Sequence, residues 1–121
     1  MKLVLKPVTR ENRKETEQLE VFSYQKDYIE SVRECMDEAD QLEAWHPVCI
    51  YDRETLIGLA MYGKIQEDAY TRLWFDRFLI DKDYQGKGYV SPAIRLVLDK
   101  IRLQYPDTHI YLRKLSGNCF V

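Results

Sequence analysis

The stretch "LWFDRFLIDKDYQGKGYV", Leu73 to Val90, decides the fold. Its first part, Leu73–Ile80, is apolar and aromatic apart from two charges, the composition of a strand covered on both faces. Its last part, "DYQGKGYV" at residues 83–90, carries two glycines and a lysine. It leads into Val90, Ala93, Ile94, Val97, Leu98 and Ile101, which recur at helical spacings of three and four. The stretch therefore reads as strand, glycine loop, helix. A helix start offers unpaired N–H groups and about half a positive charge. Glycines let a ligand come close to the backbone, and Lys87 adds a full charge. Together these suit a phosphate or pyrophosphate. The spacing is neither that of GxxxxGK[ST] nor that of GxGxxG. A strand-to-helix turn with a solvated lysine is the plainer reading of the same residues.

Within the strand, a period of two puts Trp74, Asp76, Phe78 and Ile80 on one face. It puts Leu73, Phe75, Arg77 and Leu79 on the other. Charges buried in such a strand need partners or a task. Asp76 and Arg77 are sequence neighbours pointing to opposite faces, so they are expected to be poor partners for each other. Asp76 is thus a candidate functional carboxylate, with a structural ion as the alternative.

Working outward, residues 2–8 read as a strand closed by Pro7 at a sheet edge. Thr9 to about Glu20 reads as a short, weakly anchored helix. Residues 27–45 read as a longer helix with Asp27 as N-cap. Its apolar face is Tyr28, Ile29, Val32, Cys35, Met36, Ala39 and Leu42. "PVCIYD", "TLIGLAMYGKI" and "TRLWFDRFLI" are strands. "DRET" at 52–55 is a hairpin turn, and "QEDAY" at 66–70 a longer loop. Pro106 and Asp107 end the last helix, and residues 109–115 form a last strand. The order β–α–α–β–β–β–α–β predicts an α+β (mixed α/β) fold, with helices on a mostly antiparallel sheet. The strands flanking the last helix are expected to be parallel. With 121 residues and no linker or repeat, one domain spanning 1–121 is expected.

Composition narrows the function. A net charge of −2 gives no field for nucleic acid. No apolar run approaches the ~20 residues of a membrane span. The apolar part of "MKLVLKPV" is too short for a signal peptide. Three scattered cysteines and two distant histidines point away from a metal site and toward a reducing cytoplasm.

"FLIDKDYQGKGYV" resembles the signature of the GNAT superfamily of acyl-CoA-dependent N-acetyltransferases. There, an apolar strand is followed by (Arg/Gln)-x-x-Gly-x-(Gly/Ala) at a helix start. "DYIES", "PVCIYD", "LIGLAMYG" and "LWFDRFLIDKDYQGKG" are similar, in order and spacing, to the bacterial spermine/spermidine acetyltransferase branch. The resemblance runs from Leu3 to about Leu112. It implies a GNAT-like fold and acetyl-CoA as co-substrate, bound between the parallel strands. The implied pyrophosphate loop is Gln85, Gly86, Lys87, Gly88, Tyr89 and Val90. The pantetheine arm would pair with Phe78, Leu79 and Ile80, as a peptide adds to a sheet edge. The implied acceptor is a polyamine or similar small amine, with Asp76 as catalytic base or amine anchor. Glu30 and Glu34, on the acidic helix, would hold distal ammonium groups; a solvated helix face is the plainer reading of that charge run.

Two departures from the family pattern stand out. Val90 replaces a small residue, and Pro92 follows. Either the helix starts late, with Ser91 as cap and Pro92 at its first position, or Pro92 costs one bond of the second turn. The family also continues past the "IYL" strand, with a helix bearing a general-acid tyrosine, whereas this sequence ends at Val121. The domain is therefore expected to be C-terminally incomplete, without the last helix and strands. The exposed sheet that results predicts a homodimer or higher homo-oligomer, with exchange of the C-terminal segment as one route. A degenerate remnant that keeps the fold and CoA binding is the alternative to an active enzyme.

Overall fold

The computed structural model describes residues 1–22 and 32–112. Its strands are β1 (Leu3–Pro7), β2 (Trp45–Asp52), β3 (Thr55–Glu67), β4 (Tyr70–Ile80) and β5 (Ile110–Leu112). Its helices are α1 (Arg13–Thr16), α2 (Val32–Gln41) and α3 (Val90–Gln104), with a 3-10 turn at Lys82–Tyr84. The strands form one sheet in the order β1-β2-β3-β4-β5. The first four are antiparallel neighbours, and β5 lies parallel to β4 across the α3 crossover. The expected fold class and the one parallel pair are both present.

Each face of the sheet has its own apolar core. On one, Val32, Cys35 and Met36 of α2 pack with Leu19, Cys49, Leu59, Met61 and Leu79. On the other, Ala93, Val97 and Ile101 of α3 meet Val48, Ile50, Ala60, Tyr62, Phe75 and Phe78. The four-residue spacing of those α3 side chains is the apolar stripe read from the sequence.

The predicted faces of β4 need correction. Leu73, Phe75, Phe78 and Ile80 all lie on the α3 side, while Trp74 and Leu79 lie on the α2 side. The cause is a β-bulge: Tyr62 pairs with Phe75 and Met61 with Arg77, leaving Asp76 as an extra residue. A second register shift leaves Ile57 extra between Gly58, opposite Ile50, and Leu56, opposite Tyr51.

Several boundaries move as well. The helix expected over 27–45 ends at Gln41. Leu42 is 44% exposed, and Trp45 is already in β2, opposite Gly63. The first turn expected there, including Asp27, Tyr28, Ile29 and Glu30, lies outside the described residues, as do residues 113–121. The helix expected over 9–20 shrinks to α1, where the Thr16 hydroxyl donates to Asn12 O at 2.7 Å. The loop expected at 66–70 is a tight turn with Asp68 at φ 47°, because the strands continue through Glu67 and Tyr70. Pro92 lies in the first turn of α3. The first bond of that helix is from Ala93 N to Tyr89 O at 3.0 Å, so Pro92 breaks none. Neither expected arrangement holds: the helix starts at Val90, and the proline costs it nothing.

Glycine is required in β3. A Cβ on Gly58 would stand 2.4 Å from Leu79 O, a backbone atom of β4. Gly58→Ala is expected to lower the unfolding free energy by about 1–3 kcal/mol. Urea unfolding would show this as a lower midpoint at unchanged slope. An unchanged midpoint would mean that β3 yields at this point.

Candidate active site

The loop between β4 and α3 is tied down at both ends and left bare in the middle. At its start, Asp81 accepts from Glu20 N at 2.8 Å through one carboxylate oxygen and from Asp83 N at 3.1 Å through the other. Its own N–H donates to Ile57 O at 2.8 Å. Gln85 Nε2 donates to Ile80 O at 2.8 Å. At its end, the Tyr89 hydroxyl donates to Asp52 Oδ2 at 2.5 Å, which fastens the start of α3 to the β2–β3 turn.

Between these anchors, Gly86 and Gly88 have φ of 76° and 84°, a region costly for other residues. No atom lies within 4 Å of where a Cβ would stand on either. Gln85 and Gly86 are the corners of a turn that Lys87 closes, and the N–H groups of Gly86, Gly88, Val90 and Ser91 have no acceptor among the described residues. Lys87 forms no ion pair there, and its Nζ sits 5.6 Å from the centre of the Tyr84 ring. A cavity of about 150 Å³ opens here, lined by Tyr84, Gly86, Gly88, Tyr89, Val90 and Ser91. Bare N–H groups, one cation and open space above two glycines fit a bound phosphate group. Val90 forms part of the wall, and Pro92 removes one N–H that the helix start would otherwise offer.

The second part of the site is in β4. Its described pairing with β5 runs from Leu73 to Phe75, opposite Leu112, the last described residue of β5. Asp76, Arg77 and then Phe78, Leu79 and Ile80 follow, all buried. Phe78–Ile80 pair with Ala60, Leu59 and Gly58 of β3 on one side and with no described strand on the other. Asp76 is fully buried at the bulge. Arg77, 5% exposed, pairs with Asp76 and also with Glu38 of α2. This overturns the expectation that the two neighbours are poor partners: the bulge cancels their alternation.

Sequence reading passed over Arg77 and Glu38 as site residues. Glu38 lies one turn after Glu34, so the signal was i, i+4 spacing on the acidic helix. Glu34 is exposed in the first turn of α2, while Glu30 lies outside the described residues. The charge run is partly structural. Asp40 takes two bonds from Arg13, at 2.8 and 2.7 Å, and that guanidinium holds the Asp40 carboxyl below its usual range. Among the described residues no group of His, Cys, Asp and Glu is arranged to hold a metal ion, and no helix is long and apolar enough to cross a membrane.

A model of the acetyltransferase (GNAT) family matches residues 12–118. A protein of Bacillus subtilis subsp. natto, named as a probable spermine N(1)-acetyltransferase, is 35% identical over 98% of this chain and 80% of its own length. The spermine/spermidine N(1)-acetyltransferase of Bacillus subtilis strain 168 is 34% identical over the same shares. Among solved structures, a chimera built on the Vibrio cholerae spermidine N-acetyltransferase superposes with a TM-score of 0.65 at 24% identity, covering 93% of this chain and 69% of that one. A ribosomal-protein-alanine N-acetyltransferase from Brucella melitensis gives 0.64 at 14% identity, covering 93% and 80%.

The Tyr89–Asp52 bond has a pH signature. The backbone N–H of Lys2 and the Tyr89 hydroxyl lower the Asp52 carboxyl, and the same bond raises the Tyr89 phenol. A lowered acid stabilises the fold above its ordinary pKa, about 4, and that contribution is lost as pH falls. A raised phenol stabilises it below its ordinary pKa, about 10, and that contribution is lost as pH rises. Tyr89→Phe is therefore expected to be less stable than the parent at neutral pH, with the gap closing at both extremes. Thermal unfolding from pH 3 to 11 measures this; a gap independent of pH would show that the bond contributes nothing.

Proposed function

The chain belongs to the GNAT acetyltransferase family and is an N-acetyltransferase, and on that premise we propose that it transfers the acetyl group of acetyl-CoA to a primary amine of a polyamine such as spermine or spermidine. The observation that carries this reading is the juxtaposition at β4. A buried carboxylate, Asp76, stands at the bulge of β4, on the strand that leads into a loop suited to phosphate. Acetyl-CoA supplies the thioester. The pyrophosphate would take the bare N–H groups of Gly86, Gly88, Val90 and Ser91, with the Lys87 ammonium as counter-charge. The pantetheine amides would add along the β5 side of Phe78, Leu79 and Ile80.

Asp76 acts on the amine. Its carboxylate would attract the ammonium and receive or relay its proton. The neutral nitrogen would then form a bond to the acetyl carbon as the carbon–sulfur bond breaks; CoA leaves as the thiolate with the electron pair, and the second proton of the nitrogen passes to it, giving the amide and free CoA. Glu34 and Glu38 on α2 offer negative charge to the remaining ammonium groups. The identity of about 35% to N-acetyltransferases across nearly the whole chain favours an enzyme over a degenerate remnant.

Two further features belong to this reading. Tyr111 and Leu112 of β5 are 44% and 61% exposed, which supports self-association along that side, checked by light scattering. Cys35 and Cys49 are buried and form no disulfide among the described residues, in keeping with a reducing cytoplasm.

Calorimetric titration with acetyl-CoA, followed by CoA release in the presence of spermine, tests the proposal. Asp76→Asn is expected to lower kcat/KM on the order of 10²–10⁴-fold, with acetyl-CoA binding retained. Full turnover in that variant would remove Asp76 from the chemistry. Gly88→Val is expected to abolish acetyl-CoA binding while the protein stays folded by circular dichroism; retained binding would place the phosphate elsewhere.

A further inference from the structure

A second cavity, of about 330 Å³, lies toward the end of α3 away from the glycine loop. Its apolar walls are Val8, Trp45, Pro47 and Val48, and its charge-bearing side chains are His46 and Lys100. Lys100 is about 15 Å along α3 from Val90, at 1.5 Å per residue. The volume is at the small end of the range for small-molecule sites.

The polar groups of this cavity are fixed without supplying an anion. The Tyr62 hydroxyl donates to Gln104 Oε1 at 2.7 Å, and Gln104 Nε2 donates to the Tyr105 oxygen at 3.1 Å. The Tyr105 oxygen lies 3.4 Å from His46 Nε2, and the His46 ring sits 5.2 Å from that of Tyr62. Lys64 adds positive charge nearby, its Nζ 5.9 Å from the Tyr105 ring centre. No carboxylate lines the cavity: Asp99, the neighbour of Lys100, has Arg102 3.9 Å away on the outer side of α3. Lys100 forms no ion pair among the described residues. Burial, with repulsion from Lys100, holds the His46 imidazole below its usual range. Basic side chains thus face an apolar concavity without a counter-charge.

We propose that this cavity binds a small organic carboxylate, its charge between Lys100 and His46 and its apolar body against Trp45, Pro47 and Val8. The site is separate from the transfer chemistry and does not depend on the acceptor being a polyamine.

Proton NMR of the full chain tests this, with benzoate as the probe and inorganic phosphate as the comparison. The chain has two histidines, and exposed His109 serves as the internal control. An anion beside His46 favours the imidazolium, so benzoate is expected to raise the His46 pKa, saturably, with a Kd on the order of 1 mM. Phosphate, which cannot use the apolar walls, is expected to move it little. Lys100→Met is expected to weaken benzoate binding by about tenfold or more and to raise the pKa of His46 in the absence of ligand. Three results would overturn the proposal: no effect of benzoate beyond that on His109, an equal effect of phosphate, or undiminished binding by Lys100→Met.

Discussion

The β-bulge at Asp76 is the constraint on which the site depends. From Leu73 to Phe75, β4 pairs with a described strand on each side. At the bulge one extra residue enters, the side chains exchange faces, and a carboxylate and a guanidinium are left in the interior. Two charges there are costly unless each is met. Arg77 meets both needs, pairing with Asp76 beside it and with Glu38 above it. Helix α2 is therefore fastened to β4 by charge as well as by Val32, Cys35 and Met36. A single inserted residue couples the place of the carboxylate and the seat of a helix.

The loop that follows works in the opposite manner. Asp81, Gln85 and Tyr89 use their side chains on the protein itself, holding the two ends against the α1–α2 connection, the end of β4 and the β2–β3 turn. The residues between them present backbone and the Lys87 ammonium. Two left-handed glycines make that possible, since a side chain at either position would both strain the chain and fill the open space. Rigid ends with a bare centre would give the proposed anion a preorganised receptor, which loses little entropy on binding.

Much of this was legible in the sequence because it is local. The apolar spacing of α3, the run of Leu73–Ile80 and the pair of glycines are each properties of a few adjacent residues. The bulge is not local. Nothing within "LWFDRFLI" marks an extra residue; it exists only relative to Met61 and Tyr62 on β3. Alternation therefore assigned Phe78 and Ile80 to the wrong companions and kept Asp76 apart from Arg77. The end of α2 was hidden for a similar reason, because Trp45 leaves the helix to pair with Gly63. Glu38 was indistinguishable from its acidic neighbours until Arg77 was seen beneath it. Tyr89 read as a loop residue, and only the tertiary fold shows its hydroxyl on Asp52.

Pro92, harmless to the helix, has a consequence for whatever anion the loop holds. The first turn of α3 has one N–H fewer than a proline-free helix start, so more of the attraction falls to the Lys87 ammonium. Directional N–H bonds in a shielded pocket are little affected by dissolved ions, whereas an exposed ammonium is screened over about 8 Å at physiological ionic strength. A cradle that leans on one flexible cation is therefore more responsive to the surrounding electrolyte than one built from backbone alone. Its occupancy follows the ionic composition of its compartment as well as the concentration of its ligand.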